Sequence, residues 1–403
     1  MTNPRRLLVL PLLVLASCGL PERREPGWRL ESFVIAARGA PPPRPEAYRK
    51  AAAAGIRVLG DQAGPEALEA ARAAGVRLLV GRIGLDPSVL RKKEERDRVA
   101  STLAGLRRDP ALWGYLLTRP ALEPELEGVG LVADFLRRHD PDHPLLVPLV
   151  PCDAFVGPAL ETPHYARYLE KFFAAVKPAV LYIVHLPFRA LGPPPLYFEN
   201  LELIRKASLS RGVPFLVTIR CAEMPGMEAV SEARLRWLAN TALAYGARGI
   251  VWLGYYGRGA MVTPEGFETK AYRWVATLNR NLQALGGQLF GLTPTAVYHV
   301  DHVPSGATRL PTHGLLGGIE GGEFVVGMFR DPEGRDYCLI INKSLERRVV
   351  ARLTINHPCQ AVQWFDPRAR RWEPMAIVAD RFQTRLEIPL PPGGARLVRP
   401  TPG

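Results

Sequence analysis

From Trp28 onward the chain alternates short apolar runs with longer stretches in which apolar residues recur every 3.6 positions. The runs predict strands over Leu30–Ala37, Arg57–Gly60, Arg77–Gly81, Leu112–Leu117, Leu145–Val150, Val180–His185, Phe215–Ile219 and Gly249–Tyr255. The periodic stretches between them, such as Pro65–Ala74, Glu125–Arg138, Tyr165–Val176, Leu196–Ser210 and Ala229–Tyr245, predict helices, and Thr269–Leu285 predicts one more after the eighth strand. Breaks such as Ala74-Gly75, Asp140-Pro141 and Lys177-Pro178 end most of these helices. Eight strand–helix units in about 250 residues fit a closed (β/α)8 TIM barrel, placed at residues 28–288. An open doubly wound sheet shares the alternation, but the first turn, Ala37 to Pro43, has no GxGxxG. Its prolines also lack the amides that would cradle a pyrophosphate, so no cofactor is expected.

After Gly291 the period falls from 3.6 to 2. Val297–Val303, Phe324–Phe329, Tyr337–Ile341, Val349–Ile355, Ala361–Phe365, Arg381–Ile388 and Arg396–Arg399 read as short strands separated by turns such as Asp331-Pro332-Glu333-Gly334. Residues 289–403 are therefore expected to form a small antiparallel β-sandwich, which makes the whole an α/β barrel with an all-β appendage.

The first residues follow a different logic. Arg5 and Arg6 precede an apolar run, Leu7 to Leu15, and Ala16-Ser17 then lead to Cys18. The run is shorter than the roughly 20 residues that span a bilayer. Leu15-Ala16-Ser17-Cys18 resembles the lipobox of bacterial lipoproteins. That resemblance implies a signal peptide over 1–17, lipidation of Cys18, and export to the cell envelope with the membrane as partner. Residues 18–27, rich in Pro, Arg and Glu, read as a tether.

Composition adds little to this picture. The formal charge is +13, and loss of Arg5 and Arg6 with the signal leaves +11. The cations are scattered without a dense basic run, so no nucleic-acid partner is expected. Cys152, Cys221, Cys338 and Cys359 show no CxxC spacing, and the eight histidines make no ligand pattern, so no metal site is read.

Several segments together resemble bacterial glycoside-hydrolase-like barrels. Asp109-Pro110-Ala111-Leu112-Trp113-Gly114-Tyr115 is similar to their "DPALxGY" lead into strand four, and Asp140-Pro141-Asp142-His143-Pro144 to their "DPxHP" turn. Lys177 to Leu181, continuing to His185-Leu186-Pro187-Phe188, resembles their sixth strand, and Asn240 to Ile250 the helix and strand that close the barrel. The ending Pro391-Pro392-Gly393-Gly394-Ala395-Arg396 resembles the last strand of their accessory β-domain. The resemblance implies a protein that handles glycans, with reactive groups at the C-terminal strand ends.

Glycoside hydrolysis usually needs two carboxyl groups there. In the resembled family strand four commonly ends in Asp-Glu-Pro, whereas here it ends Leu117-Thr118-Arg119-Pro120. An arginine cannot be the acid, because its pKa stays above about 12. Asp61, Asp153, Glu223 and Glu265 follow other strands, and Glu223 with Asp153 is the best remaining catalytic pair; His185 is a candidate substitute acid. Arg38, Arg82, Arg119, Arg220 and Arg258 also follow strands and predict a basic cup for an acidic glycan. Tyr115, Phe188, Trp252, Tyr255 and Tyr256 are candidate stacking surfaces for sugar rings. The sequence thus supports two readings, a hydrolase with a rearranged carboxylate pair and a glycan-binding or scaffold protein without catalysis.

Overall fold

A computed structural model describes residues 27–62, 64–149, 151–153, 162–191 and 196–403. Cys18 and residues 1–17, where a signal peptide is expected, lie outside the described residues. All eight predicted barrel strands form: β1 Val34–Arg38, β2 Val58–Gln62, β3 Arg77–Val80, β4 Leu112–Leu116, β5 in two pieces (Leu145–Leu146 and Pro148–Leu149), β6 Leu181–Ile183, β7 Phe215–Arg220 and β8 Gly249–Leu253. They pair in parallel in sequence order, and β1 pairs with β8 to close the ring on one side. On the other side the first piece of β5 pairs with β4 and the second with β6. Pro148 has no amide to donate, which accounts for the interrupted ladder at this strand.

Each strand is followed by a helix: α1 Pro45–Ala53, α2 Pro65–Ala74, α3 Lys93–Leu106, α4 Leu126–His139, α5 Thr162–Val176, α6 Tyr197–Arg211, α7 Glu232–Ala244 and α8 Lys270–Phe290. Prolines open α1 and α2, glycines in left-handed conformation close α2 and α6, and the Ser231 hydroxyl accepts from Arg234 N at the start of α7. Strand residues alternate between two cores. Ile35, Leu78, Ile183 and Trp252 pack outward against the helices, while Val34, Ala36, Leu79, Tyr182 and Val251 fill the barrel. At the N-terminal end of the barrel Trp28 meets Trp113 edge to face, with ring centroids 5.3 Å apart.

The β-sandwich has two antiparallel sheets. The strands are β9 Thr293–Val300, β10 Leu316–Glu320, β11 Phe324–Arg330, β12 Asp336–Asn342, β13 Val349–Ile355, β14 Cys359–Asp366, β15 Arg371–Pro374, β16 Val378–Ala379, β17 Thr384–Leu390 and β18 Ala395–Pro402. The sheet orders are β9-β11-β12-β18-β14-β15 and β10-β13-β17-β16. The larger sheet is buried on both faces. In β11 and β12, Phe324, Val326, Cys338 and Ile340 face the other sheet, while Val325, Phe329, Leu339 and Ile341 join the core of the barrel's helical layer. Near-continuous apolar runs are what such a doubly covered sheet requires. The joint is also hydrogen-bonded, since Asn240 Nδ2 on α7 donates to Gly393 O at 2.9 Å and Arg236 to Pro392 O at 2.9 Å. Gly393 sits at φ 61°, and a Cβ there would stand 2.6 Å from Ala233 O, so this turn requires glycine.

Candidate functional site

The C-terminal strand ends form the mouth of the barrel. Alternation along β1 turns Val34, Ala36 and hence Arg38 inward. Arg38 forms a two-pronged ion pair with Asp61, the residue at the end of β2, at 2.9–3.2 Å. Asp61 also accepts from Gly39 N at 3.1 Å. Close to this pair lie two buried hydroxyls, Tyr182 on β6 and Thr218 on β7, which neighbour one another and the Arg38 guanidinium. Burial pushes the Tyr182 phenol above its ordinary pKa, although the neighbouring guanidinium opposes the shift. Asp61 and Arg82 both adopt left-handed backbone, with φ of 77° and 58°. For residues other than glycine this conformation costs of order 1 kcal/mol, and such outliers cluster at functional sites.

On the β5–β7 side the charges are engaged with one another. Asp153 pairs with Arg189 and lies 3.4 Å from His185 Nε2. Burial by itself would raise the Asp153 pKa, but His185 and then Arg189 outweigh it and hold the carboxyl below its ordinary value. His185 is turned toward the helical layer, where its ring meets Tyr197 of α6 edge to face. Both its ring nitrogens are buried without a hydrogen bond, beside a cavity of about 20 Å³. Arg220 donates to the carbonyls of Ala222 and Glu228, each at 2.5 Å. Glu223 is exposed at the rim, and its carboxylate accepts from Val230 N at 3.0 Å. Asp153 and Glu223, the carboxylates proposed as a pair from sequence, share no partner.

The predicted basic cup is only partly formed. Arg38 is neutralised by Asp61, and Arg220 is buried and spent on backbone carbonyls. Arg82, Arg119 and Arg258 remain exposed. The stacking surfaces need a larger correction. Trp252 is buried behind the barrel with its Nε1 donating to Asn279, Tyr115 donates to Asp140 at 2.6 Å, and Tyr255 lies in the same outer core. Strand alternation puts Val251 inside and so Trp252 outside, a signal already present in the sequence. Phe188 packs on Trp237 beneath Arg234. Tyr256 is half-buried and its hydroxyl donates to Pro264 O at 2.8 Å.

The sequence reading missed a groove on the other side of the mouth. The loops after β3 and β4 enclose a volume of about 430 Å³ lined by Asp86, Pro87, Arg91, Arg119, Pro120 and Glu127 among others. That lies within the usual range for small-molecule sites. Among the described residues, no group of three or more His, Cys, Asp or Glu is placed to hold a metal ion, and no helix is long and apolar enough to cross a membrane. Cys338 and Cys359 share the sandwich core as free thiols.

No family model matches the chain, and no curated protein does. Solved structures do match. A glycoside hydrolase family 5 protein from Bacteroides vulgatus superposes with a TM-score of 0.58 at 10% identity, covering 92% of this chain and 89% of the other. A candidate alpha-galactosidase from Bacteroides fragilis superposes with a TM-score of 0.53 at 9% identity, covering 92% and 79%. At these identities the likeness is one of fold, and the fold is that of a TIM barrel followed by a β-sandwich, as in glycoside hydrolases.

Proposed function

We propose that this chain is a glycoside-hydrolase-like protein that binds a glycan at its barrel mouth without hydrolysing it by the two-carboxylate route. One observation carries the reading: the carboxylates that follow strands two, five and seven are engaged where they stand. Asp61 is bound to Arg38 and Gly39 N, Asp153 to Arg189 with His185 3.4 Å away, and Glu223 to Val230 N. A general acid needs a carboxyl that stays protonated near working pH, and Asp153 is shifted the other way. Strand four, where the resembled family carries its acid, ends in Thr118 and Arg119. The proposal extends to location, with Cys18 lipidated and the barrel held at the cell envelope. That part rests on the sequence of residues 1–18 alone.

Hydrolysis is the rival reading, favoured by one feature. Asp153 Oδ1 and both ring nitrogens of His185 are buried at adjacent strand ends without a hydrogen bond, as reactive groups often are. Calorimetric titration of the purified protein with neutral and acidic oligosaccharides, run beside product analysis of the same mixtures, separates the two. Binding without new reducing ends is the expected result. Product formation that is lost in Asp153→Asn or Glu223→Gln would overturn it.

A further inference from the structure

We propose that the groove between the β3 and β4 loops is a subsite for the carboxylate of a hexuronate residue, a specificity that rests on the glycan-binding reading above. One wall runs from Leu85 to Arg91, and the other from Leu117 to Pro120 and from Pro124 to Val129. Arg91 and Arg119 line opposite walls, and neither guanidinium forms a hydrogen bond or ion pair among the described residues. Elsewhere at the mouth, Arg38 and Arg189 are bonded to carboxylates and Arg220 to backbone carbonyls.

The carboxylates of the same groove are mostly occupied. Asp86 Oδ1 accepts from Ser88 N at 2.8 Å and Ser88 Oγ at 2.6 Å, and Glu125 accepts from Leu122 N at 3.0 Å. Arg119 acts on Asp86 through space without bonding to it. Two planar forks therefore face a volume that holds no bonded anion of its own, and a planar carboxylate is the group whose two oxygens match a fork. Glu127 supplies an acceptor for hydroxyl groups and repels a second negative charge. That combination suits one carboxylate per sugar better than a densely sulfated chain. Pro87, Pro120 and Pro124 give C–H surfaces against which a sugar ring can lie. Arg82, exposed and held left-handed two residues beyond β3, is a third cation on the same side of the mouth.

The test is calorimetric titration of the purified full chain with three oligosaccharides of equal length: a neutral hexose oligomer, its hexuronate counterpart and its sulfated counterpart. The hexuronate is expected to bind about tenfold more tightly than either of the others, the effect of one charge-assisted contact. Arg91→Ala with Arg119→Ala should bring hexuronate affinity down to that for the neutral oligomer measured on the same variant. Arg119→Lys should lose most of the preference, because an ammonium is not a fork. Equal binding of neutral and uronate oligomers, or an unaltered preference in the double variant, overturns the subsite and leaves the glycan reading standing. A sulfated oligomer that binds as tightly as the uronate overturns the carboxylate assignment. No binding to any of the three overturns the glycan reading and the subsite with it. Both arginines are exposed, so an unchanged thermal midpoint is the control for folding.

Discussion

The β5–β7 side of the mouth and its β3–β4 side carry similar numbers of charges and use them in opposite ways. On the first, Asp153 and Arg189 form a half-buried pair against the buried His185, Arg220 braces two carbonyls, and Arg234 pairs with Glu228. On the second, Arg82, Arg91 and Arg119 stand exposed beside a groove whose carboxylates are mostly tied to amides. A buried charge must be neutralised within the protein, so the first side is committed to holding the fold. An exposed guanidinium is solvated and free to exchange water for a ligand, so the second side is available for recognition. The Arg38–Asp61 pair sits between these extremes, with side chains 16% and 20% exposed.

Substitutions should separate the two sides by size of effect. Asp153→Ala leaves Arg189 and His185 uncompensated and should destabilise the fold by about 3 kcal/mol in urea titration; a loss below 1 kcal/mol would remove the contrast. The same residue gives a pH signature. Its folded pKa lies below its unfolded value, so its stabilisation is complete above the ordinary carboxylate pKa and lost as pH falls through the lowered folded value. Asp153→Asn should flatten the acid limb of the stability profile below about pH 4.

A second pH effect belongs to the joint between barrel and sandwich. His299, fully buried, meets the Tyr245 hydroxyl at 2.9 Å, and its pKa is pushed down to about 3, chiefly by burial and further by Lys343. The unfolded chain takes up this proton near pH 6.5 and the folded one does not, so stability should decline as pH falls from 6.5 toward 3. His299→Gln should abolish that slope, as followed by thermal midpoint against pH. Asp61→Asn, which keeps an acceptor but loses the charge, should cost about 1–2 kcal/mol. Arg119→Ala should change stability by less than about 0.5 kcal/mol while altering ligand preference.

The fold was largely legible because the strands of the barrel and of the larger sandwich sheet are covered on both faces and read as apolar runs, while β13 and β17 alternate buried and exposed positions. The strands missed were those without a run: β10 carries Gly317 and Gly318, β15 carries Arg371 and Glu373, and β16 has only two residues. The loss of carboxylates at Thr118 and Arg119 was also visible. The left-handed turns at Asp61 and Arg82 were not, because no glycine marks them. Nor was the partnering of the arginines, since Asp61 is 23 residues from Arg38 and Asp153 is 36 from Arg189. Such pairs are fixed by the closure of the ring, which composition does not record.

The Trp28–Trp113 contact has a consequence for standoff and aim. It fixes the start of the described chain at the end of the barrel opposite the mouth. Eight residues lie between Cys18 and Gly27, and a chain of that length reaches at most about 30 Å. A lipid at Cys18 would therefore tie down the closed floor of the barrel and point its open end outward, toward polymers arriving from the aqueous side.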